Sequence, residues 1–301
     1  MPERYEFQIT EADAKKKLDE FLFARFFHLS KMFLRESLID GKCEVNGKLV
    51  NFNYKLRVND FVELEIEYGE RQIIKPEQIP LEIIFEDAEL LVVNKAAGML
   101  VHPTVKYRNG TLLNALVYYL NSENLQNEKN GNLNFSFSRA GLVHRLDKQT
   151  SGLLIVAKNA RSHKILSGHF KRKLIEKRYY AVVEGNVEND VGEINAPIGR
   201  FAEERIWNIK TDGKIAITKY WVKTRFKDST LLELEPVTGR TNQLRIHLAH
   251  IGHPIFGDTK YGGRQFGRMC LHAYKLNFWH PNGNQRLEFE TGLPEEMKIG
   301  K

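Results

Sequence analysis

Across residues 13–26, DAKKKLDEFLFARF, the apolar side chains Leu18, Phe21, Leu22 and Phe26 recur at helical spacing, and Lys15, Lys16, Lys17 and Arg25 fall largely elsewhere. The pattern predicts an amphipathic helix. A second helix is expected from Ser30, whose hydroxyl can cap its first turn, through Ile39, with Gly41 ending it in a left-handed conformation. Alternation then replaces the helical period. Cys43 and Val45 alternate with polar neighbours ahead of Asn46-Gly47, a pair suited to a tight hairpin turn, and Val62, Leu64 and Ile66 alternate with Glu63 and Glu65 in a closing strand. Residues 69–81, GERQIIKPEQIPL, carry two prolines and no period, so they read as a linker.

Beyond the linker, LEIIFEDAELLVVNKAAGMLVHP places two apolar runs around Glu86-Asp87, predicting strand, turn and strand. Thr111–Leu120 has a helical pattern, and Asn121–Ser138 is polar, Asn-rich and expected on the surface. The run Leu153–Ala157, LLIVA, is aliphatic without alternation, as in a strand buried on both faces. Thr150, Ser151 and Gly152 read as the turn leading into it. There is no internal repeat.

At 301 residues the chain suits one large domain with a small companion, and 42% hydrophobic with 28% charged residues is an ordinary globular balance. Lys and Arg total 45 against 38 Asp and Glu, a net charge of +7 that suits a polyanionic partner without requiring one. The excess is uneven. Residues 161–178, RSHKILSGHFKRKLIEKR, hold seven Lys or Arg and one Glu, whereas residues 1–70 hold 11 basic and 14 acidic residues. Cys43 and Cys270 form no C-x-x-C pair, which excludes a disulfide scaffold and a cysteine zinc ribbon. No stretch has the length of a membrane span and the N-terminus MPERYEFQIT is not of signal type, so a reducing cytoplasmic setting is expected.

The chemistry concentrates in GLVHRLDKQTSGLLIVAKN, Gly141 to Asn159. His144, Arg145, Asp147 and Lys148 stand directly before a core strand, where charge needs pairing, solvent or a task. Asp147 reads as an ion-paired or turn-capping carboxylate, or as a nucleophile or base. A kinase loop is excluded, because Gly152 occupies the place of its metal-binding Asn and no glycine-rich phosphate loop exists. His247, His250 and His253 in RIHLAHIGH recur every third residue, so only neighbouring pairs share a helical face; ordinary structural histidines are expected rather than a metal site. A nucleic-acid deaminase would need a C-x-x-C pair, which is absent.

The same stretch resembles the H-R-L-D-x-x-T-S-G-L-L signature of the RluA-type pseudouridine synthases. LLVVNKAAGMLVHP is similar to another motif of that family, with Ala96 where Pro is usual, and EKRYYAVVEG carries its K-x-Y element as Lys177 and Tyr179. VTGRTNQLRIHLAHIGHPIFGDTKYG and CLHAYKLNFWHP resemble two more, in the family's order, so the likeness spans roughly residues 80–282. Residues 13–68 resemble the S4 RNA-binding module through KKLDEFL, Ser30-Lys31, LIDGKCEVNGK and VNDFVELEI. Together the two likenesses point to the subgroup typified by RluD and RluC.

The resemblance implies an α+β chain: a small S4-like module over residues 1–68, a linker over 69–81, and a catalytic domain over 82–301 built on a mixed, largely antiparallel sheet with flanking helices. It implies isomerisation of uridine to pseudouridine in RNA, foremost in large-subunit (23S) ribosomal RNA, without a metal or cofactor, by a monomer. Asp147 is implied as the essential carboxylate, acting as nucleophile at C1′ or as base at C2′. Arg245 is implied as its partner, Tyr179 as the aromatic that packs on the target uracil, and Arg145 as the side chain that fills the space left by the flipped base. His144 is expected to be structural and Lys148 to meet phosphate or solvent.

Phosphate contacts are expected from Lys31, Arg35, Lys42 and Lys48 in the first module and from Lys171, Arg172 and Lys173 in the basic segment. Asn242 departs from the family's TGRTHQ, which has His there; Asn can substitute if the role is to donate a hydrogen bond. Two other readings stand beside the first, a tRNA-directed synthase and a non-catalytic RNA-binding or ribosome-assembly factor on the same scaffold.

Overall fold

A computed structural model describes residues 2–26, 31–67, 74–104, 107–120, 141–201, 203 and 206–298. Backbone packing groups Met1–Ile79 with Pro103–Gly141 and, separately, Pro80–His102 with Leu142–Lys301.

The first unit contains β1 (Glu3–Gln8), α1 (Leu18–Arg25), α2 (Lys31–Ile39), β2 (Cys43–Val45), β3 (Lys48–Leu49), β4 (Phe61–Ile66) and α3 (Leu112–Leu120). Its strands form an antiparallel sheet in the order β1-β4-β2-β3. Val62, Leu64 and Ile66 of β4 point inward, as alternation requires, and join Leu18, Phe21, Leu22, Leu34 and Leu38 of the helices in one core. Asn46 and Gly47, with φ of 53° and 69°, make the turn between β2 and β3. Gly41 ends the second helix at φ 74°.

The first helix is shorter than its pattern suggests. It begins at Leu18 rather than Asp13 because Lys15 has φ 68° and the backbone of residues 15–18 is tied to residues 54–56. Ser30, the expected cap of α2, and residues 121–138, the expected surface loop, lie outside the described residues.

The second unit carries β5 (Glu82–Glu86), β6 (Leu90–Lys95), β7 (Ser151–Ala157), α4 (Ala160–Lys171), β8 (Glu176–Glu184), β9 (Val191–Asn195), β10 (Ile198–Phe201), β11 (Ile206–Ile209), β12 (Ile217–Arg225), β13 (Ser229–Pro236), α5 (Gln243–His250), β14 (Leu271–Trp279) and β15 (Arg286–Glu290). Nine of these strands form one sheet in the order β5-β6-β7-β14-β8-β13-β12-β9, with β15 on β14. All its described pairings are antiparallel except β7 with β14. The chain is therefore α+β with a mixed, largely antiparallel sheet.

The strand β7 is buried at every position, as its unbroken apolar run requires. It begins earlier than expected: Ser151 and Gly152 belong to the strand and not to the turn before it. Gly152 has φ 117°, and a Cβ there would stand 2.3 Å from the carbonyl oxygen of Ala273 on β14. This close approach makes the parallel junction. The helix α4 is capped by Asn159, whose side chain accepts from the Ser162 N–H at 2.9 Å, and packs Leu166 and Phe170 against the β7 core.

Candidate active site

The loop before β7 is pinned from three directions, which fixes where Asp147 stands. His144 accepts from the N–H of Ile155 through Nε2 at 2.9 Å and stacks on Phe170 with centroids 4.4 Å apart. Burial, then the nearby charge of Lys177, pushes its pKa down to about 3, so the ring is neutral and its proton sits on Nδ1. From the second direction, the carbonyl of Lys148 accepts from the Gly98 N–H at 2.8 Å and from Lys95 Nζ at 3.3 Å. Lys95 is 2% exposed and spends its other two protons on the carbonyls of Ala96 and Met99, at 2.7 and 2.9 Å. Burial lowers its pKa to about 8, helped by Arg268 and opposed by Asp147.

The third pin is Ser151, which accepts from Arg268 Nη2 at 2.5 Å and lies 2.7 Å from His272 Nδ1. His272 Nε2 lies 2.9 Å from the Thr291 hydroxyl, which donates to the Tyr274 carbonyl. These partners set one consistent direction: Arg268 to Ser151, Ser151 to His272, His272 to Thr291. Burial, followed by Arg268, lowers the His272 pKa to about 4, so this imidazole is neutral too.

Within this frame the Asp147 side chain is 26% exposed, and one oxygen lies 3.5 Å from Arg245 Nη1. Arg245 projects from the first turn of α5 and makes its closest contacts elsewhere. Its Nε and Nη2 donate to the two oxygens of Asp258 at 2.6 Å each. Burial works against the guanidinium charge, but Asp258 and then Asp147 outweigh it and raise the Arg245 pKa. The sequence reading named a single acid for this arginine and missed Asp258. The available signal was an acid at the end of the otherwise uncharged PIFGD, a few residues beyond the Arg245 helix.

Asn242 supports the same arginine. It adopts φ 55° and ψ 22°, a left-handed conformation that Asn tolerates better than most residues. Its Nδ2 donates to the Tyr261 hydroxyl at 3.0 Å and its Oδ1 accepts from Arg245 Nη1 at 3.3 Å. Tyr261 in turn donates to the Trp207 carbonyl at 3.0 Å, and its ring centroid lies 4.9 Å from the guanidinium.

Tyr179 stands on β8, opposite Ala273 on one side and Leu234 on the other. Its ring packs on the core that contains Leu244 and Leu248 of α5. Burial, and after it the charge of Asp147, raises the phenol pKa, so the hydroxyl stays protonated. Asp147, Tyr179 and Arg245 are thus brought together. Arg145, two residues before Asp147 in the chain, is exposed.

The candidate phosphate contacts divide. Arg35 donates to Asp19 at 2.7 Å and lies 5.2 Å from the Phe52 centroid; Lys42 is 3.9 Å from Glu67; Lys48 is exposed. The side chain of Lys31 lies outside the described residues. Lys171, Arg172 and Lys173 are exposed at the end of α4. Lys171 and Arg172 line a hollow of about 900 Å³ together with Arg161, Lys164, Ile165 and Gly168, so four cations face one concave surface. His247 is occupied by Thr218 and the Ala196 carbonyl, and His253 by the Glu184 carbonyl.

Among known proteins, the family described as RNA pseudouridylate synthase matches residues 89–250. The uncharacterized RNA pseudouridine synthase YlyB of Bacillus subtilis is 39% identical over 96% of this chain and 94% of its own. The ribosomal large subunit pseudouridine synthase D of Zymomonas mobilis is 36% identical over 97% of this chain and 94% of its own. Among solved structures, human RNA pseudouridylate synthase domain containing 1 is similar with a TM-score of 0.56 and 27% identity, covering 75% of this chain and 86% of that one.

Proposed function

The chain belongs to the RNA pseudouridylate synthase family, and from that premise we propose that it converts uridine to pseudouridine in large-subunit ribosomal RNA. The enzyme class follows from the family. The ribosomal target is supported by relatives such as those of Zymomonas mobilis and Escherichia coli O157:H7, which are named ribosomal large subunit pseudouridine synthase D. We further propose that residues 1–68 act as an S4-like RNA-binding module ahead of a catalytic domain over 82–301, and that the enzyme works as a cytoplasmic monomer. Among the described residues no helix is long and apolar enough to cross a membrane.

The observation that carries the reading is the meeting of Asp147, Arg245 and Tyr179. The reaction breaks N1–C1′, turns the base and joins C5 to C1′; the C5 proton leaves to solvent and N1 takes one up. Asp147 supplies the carboxylate at the ribose. Arg245 lends it positive charge from 3.5 Å, and Asp258 draws off the guanidinium's stronger hydrogen bonds. In this reading Tyr179 offers a neutral aromatic face to the uracil, and Arg145, which is exposed, fills the stack that the base leaves. Lys171, Arg172 and Lys173 take phosphates, with Lys31, Arg35, Lys42 and Lys48 as further contacts in the first module.

The test is tritium release from large-subunit rRNA labelled at uridine C5. Asp147→Asn is expected to abolish release while RNA affinity stays within a few-fold. Retained turnover in that variant would overturn the role of Asp147. Mapping pseudouridine in a deletion strain against its parent tests the target: missing sites in tRNA alone would replace the ribosomal reading, and no missing site would favour a non-catalytic factor.

A further inference from the structure

Lysines with covered side chains in this chain come with acceptors. Lys95 has three carbonyls, Lys158 has Glu86 at 2.7 Å, and Lys275 has Glu288 at 2.8 Å. Lys177 on β8 is the exception: it is only partly exposed, and no carboxylate or carbonyl among the described residues offsets the burial that lowers its pKa. A desolvated ammonium without a counter-charge costs free energy. The Phe170 ring, 5.7 Å from Nζ, offsets only part of it.

The position of Lys177 indicates what would offset the rest. It precedes Tyr179 by two residues, so the pleat turns both side chains to the same face of the sheet. Phe170 stacks on His144, three residues before Asp147, and the Lys177 charge is close enough to depress that imidazole. The ammonium therefore borders the loop that carries Asp147 and the strand that carries Tyr179. An anion arriving there with the substrate would find a preplaced cation. A neutral side chain at 177 would remove the cost from the free enzyme and the attraction from the complex.

We propose that Lys177 takes a phosphodiester oxygen of the RNA strand beside the nucleotide that Tyr179 receives, an assignment that rests on the RNA-modifying reading above. Lys177 is then a binding residue, and its charge is held in readiness at a stability cost to the free protein.

The experiment compares wild type, Lys177→Met and Lys177→Arg on unmodified large-subunit rRNA from a deletion strain, with filter binding from low to physiological salt, and thermal unfolding without RNA. For Lys177→Met the affinity is expected to fall roughly tenfold. The slope of log affinity against log salt should shrink by about 0.7–0.9, the loss of one phosphate contact. Its melting temperature should equal or exceed that of wild type, since an uncompensated charge has gone. Lys177→Arg should recover most of the slope. An unchanged salt slope in Lys177→Met overturns the proposal, as does a lowered melting temperature with affinity that Arg does not restore, which marks a structural lysine. Wild-type protein that binds this RNA but releases no tritium would instead overturn the catalytic reading and leave the slope comparison valid.

Discussion

Asp258, 2% exposed, receives Nε and Nη2 of Arg245 at 2.6 Å each. One guanidinium is thereby divided: its inner edge is committed to a buried acid and only Nη1 remains for Asp147, at 3.5 Å. Had Arg245 met Asp147 edge-on, both carboxylate oxygens would be covered by strong hydrogen bonds. In the divided arrangement Asp147 keeps a neighbouring positive charge without a bidentate hydrogen-bonded cover, which suits the role proposed for it at the ribose.

Asp258→Asn should therefore harm more than stability. Breaking a buried pair by removing one charge costs about 3–5 kcal/mol, measurable by denaturant unfolding. Arg245 would also turn its full edge to Asp147 and quench it. Tritium release, measured where the variant is still folded, is expected to fall at least tenfold with RNA affinity unchanged. Wild-type turnover in folded Asp258→Asn would show that the division has no catalytic consequence.

Gly152 controls the same site from the other side. A Cβ there meets the Ala273 backbone at 2.3 Å in a conformation, φ 117°, that side chains rarely adopt. Gly152→Ala combines backbone strain with overpacking, for a loss of about 3–5 kcal/mol. A thermal melt should show it, and separating β7 from β14 is expected to shift the loop just ahead of β7 that carries Asp147. A variant with wild-type melting temperature and turnover would mean that the junction yields without reaching the site.

Much of this architecture is written locally. The alternation of Val62, Leu64 and Ile66 and the Asn46-Gly47 turn lead directly to the β2–β3–β4 arrangement, and the unbroken run in β7 announces burial on both faces. The loop motif singles out Asp147 as a candidate because His144, Arg145, Asp147 and Lys148 lie close together in sequence. Other features are set by partners remote in sequence. The early helix start fails because residues 54–56 capture the backbone of residues 15–18, and the parallel pairing of Ser151 with His272 joins strands that no local period connects. Lys95 reads as an ordinary lysine at a strand end until three carbonyls from two loops close around it. Asp258 is hidden for the same reason, since its meaning depends on which arginine the fold delivers.

Acid should weaken the protein through its neutral imidazoles. His144 and His272 have pKa values lowered by burial to about 3 and about 4, whereas in the unfolded chain each titrates near about 6.5. Between those values the unfolded chain binds protons that the folded chain refuses, so stability rises with pH across that window and falls on acidification. Melting temperature is expected to drop between pH 7 and pH 5.5. Gln at 272 can keep a donor to Thr291 and an acceptor for Ser151, so His272→Gln should flatten that decline even if it lowers the absolute value. An equally steep decline would remove His272 from the account.

Asn242 holds the position where the family pattern has His, and its geometry says what the position must do. It donates to the Tyr261 hydroxyl, accepts from Arg245 and sits in a left-handed conformation. Histidine also visits that conformation more readily than most residues and can donate through a ring nitrogen. Asn242→His is therefore expected to keep tritium release within about threefold, a range set by exchanging one neutral hydrogen bond for another. Alanine can do neither task and meets a left-handed penalty, so Asn242→Ala should lose about 2 kcal/mol of stability and roughly tenfold in turnover as Arg245 loosens. Denaturant unfolding and tritium release on the two variants check both numbers. If Ala matches Asn in both, the hydrogen bonds at 242 do not hold Arg245; if His fails where Ala succeeds, side-chain size governs the position.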